Sequence, residues 1–113
     1  MLSARSISVV LVGFVVLVSL DVSSLEAQRR IADVWGIVLD RDREPIEGLE
    51  VYLVHPEVGR SRARVTDDDG GYRFLGIPIP SSGPFILEVY AGRRLMFRNT
   101  VQRLGEQRPI MLR

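Results

Sequence analysis

Beyond residue 30 the apolar residues fall on every second position, and no window sustains the period of a helix. A chain patterned this way buries one face of each strand and solvates the other. Val34 to Leu39 is the first such run and carries the only tryptophan, Trp35. Leu49, Val51 and Leu53 share a face of the next, with Glu50, Tyr52 and Val54 opposite. From Arg60 to Thr66 the pattern puts Ala63 and Val65 inward and Arg62, Arg64 and Thr66 outward. Tyr72 and Phe74 follow inward with Arg73 outward. Phe85, Leu87, Val89 and Ala91 then line one face, and Leu95, Phe97 and Val101, and finally Ile110 and Leu112, complete the inward set.

Gly, Pro and Asp clusters separate the runs. Asp40 to Gly48 is a turn region holding Pro45. Asp67 to Gly71 reads as a hairpin connection in which Asp67 accepts backbone N–H groups and two glycines supply positive φ. Gly76 to Pro84 contains three prolines and is expected to stay unpaired. The sum is about seven short strands, which predicts an all-β antiparallel sandwich with one solvated face per sheet. No internal repeat or second-domain boundary interrupts it.

Ahead of this pattern stands a different kind of sequence. Ile7 to Leu20 is 14 residues without a charge, preceded by Arg5 and followed by Asp21. A spanning helix needs about 20 apolar residues, so the run fits the apolar region of an export signal better than an anchor. The expected division is a signal peptide over 1–27, a spacer over 28–32 and one domain over 33–113. Cleavage is expected after Ala27 or Ser24, and an uncleaved membrane anchor is the alternative. Either way the domain works outside the cytoplasm, periplasmic or secreted.

Composition removes several chemistries from that domain. Without cysteine there is no disulfide scaffold, thiolate metal site, thiol nucleophile or lipobox anchor, so the core alone must hold the fold. All 15 cationic side chains are Arg, which closes lysine-based catalysis. Without residues 1–27, 14 Arg face 12 acids, a surplus of about +2 and too weak a field to point to nucleic acid.

Four local features carry what chemistry remains. Asp67, Asp68 and Asp69 could offer calcium oxygens, chiefly Asp67 and Asp69, but three consecutive acids are expected not to converge, and a solvated turn is preferred. His55, the only histidine, sits by Pro56 at a strand end and reads as a surface residue, since no serine elbow accompanies it. Arg62, Arg64 and Arg73 emerge on one side if their strands pair, a stripe able to bind an acidic glycan or lipid head group. Interleaved acids such as Glu50 and Glu88 argue that the stripe is simply solvated. Trp35 and Tyr90 could stack on a sugar or a partner chain, or else complete a core.

The order of these signals resembles the carboxypeptidase regulatory-like domain, a transthyretin-like (prealbumin-like) sandwich related to the B-type repeats of bacterial adhesins. The carrying residues are Val34-x-Gly36-x-Val38-x-Asp40, Pro45-Ile46-x-Gly48-x-x-Val51-x-Leu53, Thr66-Asp67-x-x-Gly70-x-Tyr72-x-Phe74, then Leu87-x-Val89 and Gly92, over about residues 33–112. Where the family has Pro-Gly followed by Tyr, this chain has Ile79-Pro80-Ser81-Ser82-Gly83-Pro84-Phe85, longer and reordered. Two enzyme families share the implied sandwich. Hydroxyisourate hydrolases use several histidines and a C-terminal Tyr-Arg-Gly-Ser, and intradiol dioxygenases hold iron through two Tyr and two His. One histidine falls short of both. The lysine–asparagine crosslink of some adhesin repeats is also excluded, there being no lysine.

The resemblance implies an exported, non-catalytic accessory module, spacer or protein-interaction domain at the cell envelope. The second reading is a carbohydrate- or peptide-binding module using rim loops 40–48 and 76–84. The expected partner is an envelope protein or a glycan. No cofactor is expected, and the membrane enters only through an uncleaved N-terminal segment.

Overall fold

A computed structural model describes residues 30–113; the signal peptide expected over 1–27 and the start of the expected spacer lie outside them. Nine strands occur among the described residues: β1 (Ile31–Leu39), β2 (Glu50–His55), β3 (Gly59–Arg60), β4 (Arg64–Val65), β5 (Gly71–Pro78), β6 (Ile86–Ala91), β7 (Arg94–Thr100), β8 (Gly105–Glu106) and β9 (Ile110–Met111). They form the two sheets of an all-β sandwich. In the first sheet β1 is central, with β5 antiparallel on one side and β8 and β9 parallel on the other. In the second, β2 lies between β6 and the short pair β3 and β4, and β7 is added beyond β6, all antiparallel. The parallel pairings arise because the chain leaves β7 in the second sheet and crosses to the first, meeting β1 in the same direction.

Alternation places the core between the sheets. Val34 and Val38 of β1, Tyr72 and Phe74 of β5, Val51 and Leu53 of β2, and Leu87 and Val89 of β6 are all buried, with Leu49, Phe85, Val101, Ile110 and Leu112 closing the ends. Each full burial of a Val, Leu or Phe side chain contributes about 1.5–3 kcal/mol, which is what a domain without disulfides must rely on.

Four details differ from the sequence reading. First, β1 begins at Ile31, because Ile31 and Ala32 pair with Pro78 and Ile77 across a bulge. Ile77 and Pro78 are therefore paired after all, and Pro78 is tolerated because it is the last residue of its strand. Second, Arg60 to Thr66 is two fragments rather than one strand. Arg62 and Arg64 are exposed as expected, but Ala63 and Val65 are exposed too and Thr66 is buried. Thr66 can be inside because its Oγ1 accepts from the Leu49 N–H (2.9 Å) and donates to the Ile46 carbonyl (2.7 Å). Third, a bulge between Val89 and Tyr90 sets Leu95 opposite Tyr90, on the outer face, and leaves it exposed. Ala91, expected inward, is exposed at the strand end. Fourth, only one glycine of the Asp67 turn has positive φ, Gly70 at 74°.

Two turns of the same construction cap the sandwich. Asp40 Oδ1 accepts from the N–H groups of Asp42 (2.8 Å) and Glu44 (3.0 Å). Asp67 Oδ1 accepts from Asp69 (3.0 Å) and Gly71 (2.8 Å) in the same way. In each, the Asp N–H donates to the carbonyl four residues on, and the fourth residue donates back to the Asp carbonyl.

Candidate functional site

The outer face of the first sheet carries the clearest concentration of exposed functional side chains. Outward positions of β1 and β5 place Trp35 directly opposite Arg73. Beside them β4, at the edge of the other sheet, brings Arg64 and Val65. Together these residues, with Ile37 and Asp67, line a cleft of about 500 Å³. Its apolar part is unusually open to solvent, with Trp35 38%, Ile37 37% and Val65 59% exposed. Among the described residues the one ion pair joins Arg98 to Glu88 at 3.5 Å, so neither guanidinium in the cleft has a carboxylate within bonding distance. A pair of fixed-charge, fork-shaped donors beside an apolar floor suits an anion with an apolar body.

The other residues singled out in the sequence lie elsewhere. Arg62 is exposed between β3 and β4 and does not line the cleft. Tyr90 is on the outer face of the second sheet, its ring 5.7 Å from and edge-on to Tyr52. The Arg60 guanidinium lies 3.6 Å from the Tyr52 ring centre and 5.5 Å from that of Tyr90. The two hydroxyls donate to Glu50 (2.9 Å) and Glu88 (3.4 Å), and the bond to Glu50 is the chief cause of a raised Tyr52 pKa. This face is thus covered by the chain's own arginine, where a stacking sugar would have to sit.

The acidic turn departs from expectation in one respect. One carboxylate oxygen from each of Asp67, Asp68 and Asp69 lies within 4.8 Å of the others, because the tight turn folds all three toward one side. All three are exposed, and Asp67 is already engaged by the turn amides.

His55 is buried, 5% exposed, rather than at the surface. Its Nδ1 accepts from the Glu57 N–H (3.0 Å), which leaves Nε2 to donate to the Ser82 carbonyl (2.7 Å). The Glu57 carboxylate accepts from the Ser81 hydroxyl (2.8 Å) and N–H (3.0 Å). Those bonds, the hydroxyl's first, hold the Glu57 pKa below its ordinary value. The group is a clasp fastening the 79–85 loop to the end of β2. Because Ser81 bonds to Glu57 and the imidazole to a carbonyl, no nucleophile–base pair forms. An iron set does not form either: Tyr52 and Tyr90 are outside the second sheet, Tyr72 is between the sheets, and His55 is at one end.

Tyr72 lies inward beside Phe74 as the alternation predicted, but the state of its hydroxyl escaped the sequence reading. Tyr72 is buried in the core and its hydroxyl has no hydrogen-bond partner among the described residues. Loss of solvent pushes its pKa up to about 12, so it is a permanent donor in any physiological medium. The signal was the pairing of Gly36 with Tyr72 across β1 and β5. A Cβ at position 36 would lie 2.5 Å from the Tyr72 hydroxyl, so the glycine exists to make room.

No family model matches the chain, and no curated protein matches it. Solved structures do resemble it. The Bacillus anthracis TIE protein aligns with a TM-score of 0.50 at 18% identity, over 74% of this chain and 16% of that one. An intradiol ring-cleavage dioxygenase from Tetranychus urticae aligns at 0.48 and 16% identity, over 63% of this chain and 50% of that one. A streptococcal ancillary pilin aligns at 0.44 and 19%, over 74% and 31%. This chain spans half or less of each, and identities this low speak for a shared sandwich alone.

These comparisons correct the functional expectation. The accessory, spacer or protein-interaction role was inferred from a family resemblance that no family model supports, and similar structures include oxygenases as well as a pilin. The sandwich does not make this chain non-catalytic, and that assignment is withdrawn. The alternative of one site built from rim loops 40–48 and 76–84 also fails. The first loop joins the end of β1 to the start of β2, and the second lies by the start of β1 and the end of β2, at the opposite end of the sandwich.

Proposed function

We propose that the chain binds a small organic anion with an apolar or aromatic body, in the cleft of Trp35, Ile37, Arg64, Val65 and Arg73. The carrying observation is that β1 and the consecutive strands β4 and β5 bring the only tryptophan and two unpaired guanidiniums to one open apolar depression. The rings or methylenes of the ligand lie on Trp35 and Ile37. Its carboxylate or phosphate is held by Arg64 and Arg73, whose planar forks match such groups. The carboxypeptidase regulatory-like resemblance remains our reading of its ancestry, supported by the use of Thr66, Asp67, Tyr72 and Phe74 as turn and core residues.

Because Trp35 is the only tryptophan, its emission reads the cleft directly. Titration with benzoate or cyclohexanecarboxylate is expected to give a saturable change, absent with the neutral cyclohexanecarboxamide. Replacing both guanidiniums, Arg64→Gln with Arg73→Gln, is expected to weaken binding by about tenfold or more. No saturable change, or equal affinity in the double variant, overturns the proposal.

The same chain is proposed to act outside the cytoplasm, on the strength of Arg5 followed by the uncharged Ile7 to Leu20. The mass of the exported protein is expected to place its first residue near Leu25 or Gln28. Full-length chain found only in membranes would favour the retained anchor instead.

A further inference from the structure

The two sheets lie together on the side where β4 meets β5 and part on the other, where β7 ends one sheet and β8 and β9 end the other. Along that seam runs a groove of about 770 Å³, with Tyr72, Leu87 and Ile110 in its floor and Arg103, Glu106 and Arg108 at its rim. Three observations make it more than a gap in the packing.

The Tyr72 hydroxyl is buried without a partner, an arrangement that native cores avoid unless something else meets the group. Nothing in the packing calls for that hydroxyl, since Phe74 occupies the neighbouring inward position of the same strand with a plain ring. Gly36 lacks a positive φ, so its backbone does not require glycine. Two positions on two strands are therefore matched to seat one phenol over β1 at the floor of the seam. The rim carries two guanidiniums against one carboxylate, a surplus that favours an anion. Among the described residues no strand lies beyond β7, β8 or β9, so these edges can move apart to admit an occupant.

We propose that the seam takes an amphiphile. Its acyl chain lies on the apolar floor, an ester or amide carbonyl accepts the hydrogen bond of Tyr72, and an anionic head is held by Arg103 and Arg108. Tyr72 also borders the Trp35 cleft, but the seam shares neither that cleft's tryptophan nor its arginines and does not depend on it.

The probe is N-decanoylglycine below its micellar concentration, with decanoate as the analogue lacking the inner carbonyl, measured by calorimetric titration. Without ligand, Tyr72→Phe is expected to melt higher than the parent by about 4 °C or more, since it removes an unsatisfied buried group. The same variant is expected to bind N-decanoylglycine about tenfold less tightly, with decanoate affinity little changed. Arg103→Gln combined with Arg108→Gln is expected to weaken both ligands. Arg64→Gln combined with Arg73→Gln is expected to weaken neither; a loss in that variant would move the ligand to the Trp35 cleft and sink the proposal. A Tyr72→Phe protein that melts no higher, or that holds N-decanoylglycine as tightly as the parent, overturns it as well.

Discussion

Arg43 and Gly70 stand at the same place in two otherwise matching turns. Both adopt left-handed backbone, φ 62° for Arg43 and 74° for Gly70, where a side chain costs about 1–2 kcal/mol. Arg43→Gly is therefore expected to raise stability by about 0.5–1 kcal/mol, the strain removed less the added freedom of the unfolded chain. Urea unfolding should show the midpoint moving up with an unchanged slope. Gly70→Ala should do the reverse by more than about 2 kcal/mol, since its Cβ would also lie 2.5 Å from the Val38 carbonyl. Thr66→Val strands the Leu49 N–H and the Ile46 carbonyl inside the protein and should cost about 2–3 kcal/mol in the same assay. Asp67 as a turn acceptor was legible in the sequence because an Asp ahead of paired glycines has few other uses. Arg43 was not, because nothing in an arginine announces the left-handed region. Thr66 was misplaced for a related reason: alternation assigns a face by polarity, and a threonine bonded at both ends of its hydroxyl defeats that rule.

Elements divide by length in how clearly the sequence announces them. β2, β5 and β6 run six or eight residues, and their period of two is plain. β3, β4, β8 and β9 are two residues each, too short for any period, and exist only because a neighbouring strand supplies the pairing. Facing within a strand could be read at Arg73, expected outside and exposed, whereas Trp35 was left open between a stacking ring and a core residue and proves part-exposed. Sheet membership could not, and so Tyr90 was grouped with residues that turn out to lie on the far side of the molecule. The 79–85 loop is likewise an element defined by its fastening. Glu57→Gln should leave global melting within about 0.5 °C to 2 °C of the parent while speeding proteolytic nicking in that loop, because the tie is local and exposed. The Glu57 pKa is lowered in the folded protein, so the tie holds at neutral pH and is released only as pH falls through that lowered value. Nicking rates followed from pH 7 downward should rise only in the acid range.

At the scale of the whole molecule, stability depends on a small core with no covalent reinforcement. Phe74→Ala should cost about 3–5 kcal/mol, most of the stability a domain of this size commands, and circular dichroism at 25 °C should show a largely unfolded chain. Tyr72 sets the alkaline limit. Its folded pKa is raised to about 12 from 10.0, so the folded state keeps its proton where the unfolded state loses it. This contribution is whole below pH 10 and falls by up to about 1.4 kcal/mol per pH unit until about pH 12; Tyr72→Phe should remove it and leave the share of Tyr52, whose pKa is raised too. The central place of β1 has a consequence in time. Its neighbours on one side are β8 and β9, just over seventy positions further along, and Leu112 donates to the Leu39 carbonyl. A polypeptide emerging amino end first cannot finish that layer until residues 105–112 arrive, and every shorter nascent length leaves the first ribbon half clothed. Such delay keeps the chain pliable during synthesis and lets closure happen in one late step.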